Sequence, residues 1–348
     1  PELTDPHGTD VSRFYPQQRN VNHIEARADE HFNKTYGIVH PREQWKSRRN
    51  ITVGPVKSRT DDLGAFYFEA GGWERPHWYQ SNSDLLANYD VPQRTHEWDE
   101  RWWSPLSDAE HLHMREHAGL VDLSAFQIFE ASGIGALEFV EKMVVNKCDV
   151  PVGKSIYTPV LNESGGFRSD LTIVRLQENL FRIITGAFDG GRDEYWFRSH
   201  LPADASVNLE NKTNAICTFG VWGPKAVALL SRVTESKLDQ DNFPYGTSQS
   251  LLVEGLPVDM LRISYVGDAG FEIYTGTQHG LALWDALWEA GKDYDLRPIG
   301  AAVYGTSGRL EKGYRLMGSE LENEYNPVEA GLDRNKVKAA DFIGKTAY

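Results

Sequence analysis

The chain has 348 residues, 40% hydrophobic and 25% charged, an ordinary composition for a globular protein of two or three domains. Its net charge of −14 argues against a general nucleic-acid surface, but not against a small anionic ligand held by a local basic patch or by backbone N–H groups. No apolar run reaches the length of a membrane-spanning helix and no signal peptide is visible, so we expect no membrane partner and a cytoplasmic or mitochondrial-matrix location.

Residues 1–104 are expected to form a connecting segment. Residues 1–35 are polar and suggest irregular structure, whereas residues 36–79 alternate short apolar pieces with Gly and Pro, which is typical of strands and loops. Phe66 and Phe68 alternate with Tyr67, and the Gly-Gly pair that follows them predicts a turn. Residues 80–104 are interpreted as a linker with a domain boundary near Pro105.

The second predicted domain, residues 105–348, mixes helices and strands without a β-α-β rhythm, which favours an α+β fold. Ser107 is a candidate N-cap with Glu110 at the capping-box position, for a helix ending near Gly119. Further helices are predicted at 133–144, 190–201 and 281–291, and strands at 156–161, 171–176, 180–185, 260–266 and 271–274. Cys148 and Cys217 lie in apolar-periodic segments and are expected to be reduced and buried.

Two glycine-containing turns carry an acid between predicted strands. Gly165 and Gly166 precede Asp170, and Gly267 precedes Asp268. A carboxylate suits a 2-aminopyrimidinone ring, because its two oxygens can accept the ring N–H and the exocyclic amino group together, and it also stabilises an iminium cation. By themselves these residues favour a plain hairpin turn with the acid in solvent over a ligand site.

A metal site is not predicted. His113 and His117 stand four residues apart, and His111 lies nearby, but no third ligand follows at a recognisable spacing, which favours a surface helix. The chain also lacks a dinucleotide fingerprint, a phosphate loop and a nucleophile elbow.

Residues 110–347 resemble the aminomethyltransferase (glycine-cleavage T-protein) family, because they contain a series of short motifs in the order and spacing of that family. They are Glu110-His111 with Arg115, residues 118–124, 157–171, Val221-Trp222-Gly223-Pro224, 265–273, Arg309-Leu310-Glu311-Lys312-Gly313 and 327–332. The segments Gly72-Trp73-Glu74-Arg75-Pro76, Arg192-Asp193-Glu194-Tyr195-Trp196 and 311–315 are more similar to the folate-binding half of dimethylglycine and sarcosine dehydrogenases and oxidases.

The resemblance implies a T-protein-like fold of mixed, mostly antiparallel sheets with flanking helices, preceded by a small strand-rich segment and with its C-terminal barrel absent or incomplete. It implies tetrahydrofolate as the cofactor, capture of the methylene unit of an oxidised N-methyl amine, and 5,10-methylenetetrahydrofolate as the product. FAD would belong to a flavoprotein partner or to a missing domain. Proximity of the reactants would supply most of the rate.

The same resemblance assigns residue roles. Asp170 is expected to be catalytic, and the cofactor-binding residues are expected to be Asp268, Tyr157, Thr185, Tyr265 and Arg309. This sequence departs from the T-protein pattern in having Ser169 in place of the first of two adjacent acids, Asp268 in place of Glu, and Thr185 in place of Asn. Gly305 and Thr306 stand where T-proteins have an Arg-Asp pair, and Arg309 is expected to be structural or to pair with an internal acid.

Two other functions stay open from the sequence. One is a folate-dependent O- or S-demethylase, against which the Trp73–Pro76 segment argues because it belongs to the flavin-linked branch. The other is a non-catalytic regulatory subunit that has kept the fold. The sequence identifies neither the methylated substrate nor the oligomeric state.

Overall fold

The computed structural model describes residues 9–333 and 337–348. Its helices and strands are α1 (Val21–Thr35), β1 (Thr52–Val53), α2 (Lys57–Asp62), β2 (Ala65–Ala70), β3 (Trp73–Tyr79), α3 (Glu97–Glu100), α4 (Leu106–Glu116), β4 (Ala118–Asp122), β5 (Gln127–Ser132), α5 (Ala136–Met143), β6 (Ser155–Leu161), β7 (Phe167–Gln177), β8 (Leu180–Thr185), α6 (Gly190–Ser199), β9 (Asn208–Asn211), β10 (Ile216–Trp222), α7 (Ala226–Leu230), β11 (Ser248–Val253), β12 (Leu256–Leu261), β13 (Gly270–Gly276), α8 (Gly280–Gly291), β14 (Leu296–Pro298) and α9 (Arg309–Glu311). A π-helical segment, Val303–Gly308, leads directly into α9.

The strands form open sheets, which confirms the predicted α+β class. A small sheet has the order β1-β3-β2, a six-stranded sheet the order β11-β12-β13-β10-β4-β14, and a five-stranded sheet the order β6-β7-β8-β5-β9. Pairing is antiparallel except between β1 and β3 and between β4 and β14. Within the described residues no sheet closes into a barrel.

Each of the two large sheets packs against helices through its own hydrophobic core. The two sheets contact each other through a third hydrophobic core. Buried residues of α7 and α8 pack on the six-stranded sheet, and those of α5 and α6 pack on the five-stranded sheet. Val174 and Ile184 of the five-stranded sheet contact Leu261 and Tyr274 of the six-stranded sheet in a separate buried cluster. The apolar alternation along these strands therefore places two sheets against each other.

The N-terminal region contains more helix than we predicted. The expectation of irregular structure to residue 35 is wrong, because α1 occupies Val21–Thr35 and Asn20 caps it by accepting the N–H of Asn22 at 3.0 Å. The strand through Phe66 and Phe68 is confirmed as β2. The turn after it is also confirmed, since Gly71 and Gly72 have φ values of 60° and 81°.

Helix α4 begins differently from the prediction. Pro105, not Ser107, is the N-cap, and Ser107 is buried inside the helix, which ends at Glu116. Glu110 does not close a capping box. Its carboxylate accepts the N–H groups of Tyr79 at 2.7 Å and Gly300 at 2.9 Å, so it ties the small sheet and the segment after β14 to the helix.

The strand predicted at 260–266 is wrong in its position. β12 ends at Leu261, and residues 262–269 form a loop before β13. The indole N–H of Trp222 donates to the Ile263 carbonyl at 2.9 Å, and Ser264 Oγ accepts the N–H of Gly267 at 2.9 Å. These contacts take the backbone out of the strand ladder, an outcome that the apolar pattern alone does not contain.

Candidate functional site

The Gly-Gly segment is a tight turn at the end of the β6–β7 hairpin that packs against a distant part of the chain. Asn162 Oδ1 accepts the N–H groups of Ser164 and Gly166, both at 3.0 Å. A Cβ atom on Gly166 would lie 1.8 Å from the carbonyl oxygen of Asn323. Glycine is therefore required at position 166 by this close approach, in addition to the turn itself.

Asp170 lies on β7, half-buried and paired in register with Pro159 of β6. Tyr157 of β6 donates its hydroxyl to Asp170 Oδ2 at 2.9 Å. Burial raises the pKa of Asp170 to about 7, and Asp189 adds to the shift, while the hydrogen bond from Tyr157 opposes it. A carboxylate with this pKa exchanges its proton near neutral pH, as a general acid or base must.

A second carboxylate, from helix α6, holds Ser169, the residue that precedes Asp170 on β7. Asp193 is buried and accepts hydrogen bonds from Ser169 Oγ at 2.7 Å and from Thr185 Oγ1. Burial, and then the neighbouring Asp189, raise the pKa of Asp193 above its ordinary value. Ser169 and Thr185, two of the positions that depart from the T-protein pattern, thus hold a carboxylate between them.

A third buried carboxylate, Glu272, comes from the other large sheet. It lies on β13 and accepts the hydroxyl of Tyr274 on the same strand. Burial raises the pKa of Glu272 to about 7, although the hydrogen bond from Tyr274 opposes the shift. Since a carboxylate has two acceptor oxygens, Glu272 can accept a further hydrogen bond inside the protein in addition to that from Tyr274.

Tyrosine rings connect the carboxylates of the two sheets. The pKa of Tyr304 lies well above its ordinary value, first because of burial and then because of Glu272, Tyr265 and Asp170. Burial and the charge of Asp170 also raise the pKa of Tyr265. The rings of Tyr265 and Tyr304 are 5.1 Å apart. We call Asp170, Tyr157, Tyr265, Glu272 and Tyr304 the acid–tyrosine cluster.

Asp268, expected to bind the cofactor, lies in a different environment. It forms an ion pair with Arg115 of α4. Arg115 also donates to the Val266 carbonyl at 2.7 Å and, through Nε, to Glu311 at 2.8 Å. The structure thus places Asp268 in a network that joins α4, the 262–269 loop and α9, and does not bring it to Asp170.

The side chains of Arg309 and Tyr265 both donate hydrogen bonds to backbone carbonyls. Arg309 Nη1 donates to Glu320 at 2.6 Å and to the Tyr314 carbonyl at 3.1 Å, so its acidic partner is an exposed residue and not the internal acid that we expected. The hydroxyl of Tyr265 donates to the Arg315 carbonyl at 2.5 Å. Of the predicted residues, the structure therefore brings Tyr157, Asp170 and Tyr265 together, with Thr185 behind them through Asp193.

Sequence reasoning missed Glu272, Tyr304 and Asp193. Glu272 belongs to the segment that drew attention to Asp268, and its position in an otherwise apolar strand, between Phe271 and Ile273, was the available signal. No signal in the sequence connects Asp193 with Ser169 and Thr185, because their contact depends on how α6 packs against β7 and β8.

The histidine pair on α4 also differs from the expectation of a surface helix. His113 is only 2% exposed, and its ring stacks on that of His117 with centroids 4.6 Å apart. A third potential ligand comes from far along the chain: ligand atoms of His113, His117 and Asp295 all lie within 4.8 Å of one another. The third potential ligand comes from a distant part of the chain, so the local spacing of residues could not indicate it.

The fold and the cluster together define a class: an α+β protein in which two large sheets bring carboxylates and tyrosines together. Residues 56–338 match the family described as GCVT N-terminal domain, so the chain belongs to the aminomethyltransferase (glycine-cleavage T-protein) family. Residues 3–53 match a second description, FAD dependent oxidoreductase central domain.

Relatives similar to nearly the whole chain carry different names. The 4-methylaminobutanoate oxidase (formaldehyde-forming) of Paenarthrobacter nicotinovorans is 32% identical over 99% of this chain and 41% of its own length. The mitochondrial pyruvate dehydrogenase phosphatase regulatory subunit of Mus musculus is 29% identical over 97% and 39%, and human mitochondrial dimethylglycine dehydrogenase is 29% identical over 96% and 38%. The chain thus spans about two fifths of the length of these relatives.

Among solved structures, the glycine cleavage system aminomethyltransferase T of Bartonella henselae matches with a TM-score of 0.68 and 23% identity, over 86% of this chain and 74% of that one. This likeness confirms the predicted T-protein fold. In the described part of the chain, no helix combines the length and the apolar character needed to cross a membrane.

Proposed function

We propose that the acid–tyrosine cluster binds tetrahydrofolate and that the chain transfers to it the methylene unit of an oxidised N-methyl amine of the dimethylglycine or sarcosine type, giving 5,10-methylenetetrahydrofolate. A flavoprotein subunit or domain with FAD supplies the iminium. One observation carries the proposal. Asp170 and Glu272 come from different sheets, both raise the pKa of Tyr304, and both have their own pKa raised to about 7.

The cluster has the chemistry that a pterin requires. The carboxylate of Glu272 is buried, and a buried acceptor pair suits the ring N–H and amino group of a 2-aminopyrimidinone. The rings of Tyr265 and Tyr304 supply flat walls beside it. We assign the pterin contact to Glu272, since Asp268 is already paired with Arg115.

Tetrahydrofolate supplies the two amine nitrogens, N5 and N10, that accept the one-carbon unit. Overall, an iminium cation and tetrahydrofolate give 5,10-methylenetetrahydrofolate and a protonated amine, so two protons move from the folate nitrogens to the leaving amine. Asp170, with a pKa near 7, is suited to take a proton and return it. Its negative charge also stabilises the iminium before transfer.

Asp193 has a positioning role in this proposal. It holds the hydroxyls of Ser169 and Thr185, and Ser169 directly precedes Asp170 in β7. The carboxylate that T-proteins carry at the position of Ser169 is in this way replaced by one from α6. Asp193 fixes the backbone from which Asp170 projects, so that the orientation of Asp170 does not depend on the ligand.

Calorimetry with tetrahydrofolate under reducing conditions tests the assignment. The folded wild-type chain should bind, and Glu272→Gln should bind at least about tenfold more weakly, because a buried carboxylate–donor contact contributes about 1.5–3 kcal/mol. Asp268→Asn is the matched control and should bind like the wild type. The opposite pattern would return the pterin contact to Asp268, and no binding by folded wild-type chain would reject folate chemistry.

A regulatory function is the second candidate. The observation that favours it is the 29% identity to a phosphatase regulatory subunit over 97% of this chain. In that case the fold would serve to bind a partner protein or to sense folate without transfer. Binding of tetrahydrofolate without any acceleration of methylene transfer would favour this function.

A further inference from the structure

A cluster of nitrogen and oxygen donors lies on the face of α4 away from the Arg115 network. His113 and His117 are four residues apart, one within the last turn of the helix and the other its C-cap, which brings their rings together with an interplanar angle of 21°. Asp295, at the start of β14, completes the group. None of these residues takes part in the acid–tyrosine cluster.

Asp295 presents two kinds of oxygen to the histidines. Its backbone carbonyl lies 2.7 Å from His113 Nε2, and its carboxylate Oδ2 lies 3.7 Å from His117 Nδ1. The residue adopts a left-handed conformation with φ 55°, which Asp and Asn tolerate better than most residues. Two imidazoles and a carboxylate converge in this way on one place, where a metal ion would replace the proton that His113 Nε2 donates to the Asp295 carbonyl.

Two basic side chains already contact the histidine and the carboxylate, and a metal ion would have to displace one of them. Lys225 Nζ lies 2.7 Å from His117 Nδ1, so an ammonium group contacts the nitrogen that a metal would use. Arg297 Nε lies 3.7 Å from Asp295 Oδ1. The ring of Tyr89 contacts that of His113, and the hydroxyl of Tyr89 donates to Glu116 at 3.1 Å. The Lys225 side chain is only partly buried on a flexible stem, so it can move aside.

We propose that His113, His117 and Asp295 form a binding site for a divalent transition-metal ion of the zinc type. Neutral imidazole and carboxylate are the ligands that zinc prefers in tetrahedral sites, and two histidines at i and i+4 on a helix are a recurrent arrangement. His113 is buried and held in place, whereas His117 and Asp295 have side-chain exposures of 27% and 47% and give the ion a route from solvent. The ion joins the end of α4 to the start of β14.

Titration of ZnCl₂ into the full chain, prepared without a histidine tag, tests this proposal by calorimetry. The wild-type chain should bind one zinc ion saturably. His117→Gln and Asp295→Asn should each weaken binding at least about tenfold, given that even residues behind metal ligands contribute that much. Asp295→Asn keeps the left-handed backbone favourable, so it separates loss of a ligand from loss of structure.

Two further variants make the result decisive. Lys225→Met should tighten zinc binding severalfold, because it removes a competing ammonium from His117. His111→Gln, on the same helix but paired with Glu311, is the matched control and should leave zinc affinity unchanged. Failure of the wild-type chain to bind zinc, or binding that survives both His117→Gln and Asp295→Asn, would overturn the proposal whatever the outcome with tetrahydrofolate.

Discussion

Asp170 and Asp268 each follow a glycine-containing turn in the sequence, but their environments differ. Burial raises the pKa of Asp170 to about 7, although the hydrogen bond from Tyr157 opposes the shift. Asp268 is paired with the guanidinium of Arg115. The carboxylate of Asp268 is committed to an ion pair, whereas that of Asp170 accepts a hydrogen bond from a neutral phenol. The different environments of Asp170 and Asp268 therefore come from their partners, Tyr157 and Arg115, and not from the preceding turns.

The largest expected difference between the two acids is in catalysis. Formaldehyde and sarcosine generate an iminium in solution, so formation of 5,10-methylenetetrahydrofolate can be followed without a flavoprotein. Asp170→Asn should lower the rate above the uncatalysed background by about 10²–10⁴-fold, the usual contribution of a general acid–base group, with tetrahydrofolate affinity kept within a few-fold. Asp268→Asn is the control and should transfer at the wild-type rate; equal losses in both variants would remove the distinction.

A smaller effect is expected in the pH dependence of stability. The folded pKa of Glu272, about 7, lies above its ordinary value of 4.5, so the folded state holds this proton more tightly than the unfolded state does. The free energy of unfolding should therefore fall as the pH rises from about 4.5 through about 7. The free energy of unfolding is measured with urea at pH 5 and at pH 8. The decrease between these two pH values should be smaller in Glu272→Gln than in the wild type, by on the order of 2–3 kcal/mol.

Asp268→Asn provides the comparison for this measurement, and its difference between pH 5 and pH 8 should match that of the wild type. A pH 5 to pH 8 difference that is the same in the wild type and in Glu272→Gln would show that Glu272 is not a desolvated acid.

The smallest effect concerns the ion pair itself. Asp268→Asn should lower the free energy of unfolding by about 1 kcal/mol or less, because Arg115 keeps Glu311 as a second partner and the pair is partly exposed. The loss should shrink in high salt, which screens such pairs. Thermal unfolding at low and high salt measures it; a salt-independent loss of several kcal/mol would mean that Asp268 is a buried structural acid instead.

Local patterns were sufficient for several regular elements. β8 occupies residues 180–185 as predicted, and α8 ends at Gly291. Alternation along a strand and the spacing of apolar residues along a helix are properties of consecutive residues, so they can be read from the chain. The start of α4 was wrong because Glu110 is held by Tyr79 and Gly300, which the local sequence does not contain.

The sequence by itself determined the family, the α+β class, the strand that carries Asp170 and the presence of a glycine-dependent turn before it. Only the tertiary structure decided which acids share a site. Arg115 reached Asp268, Asp170 and Glu272 from different sheets both raised the pKa of Tyr304, α6 brought Asp193 to Ser169, and Asp295 met the histidine pair. The charge state of a carboxylate depends on the groups within a few ångströms of it, and those groups come from distant parts of the chain.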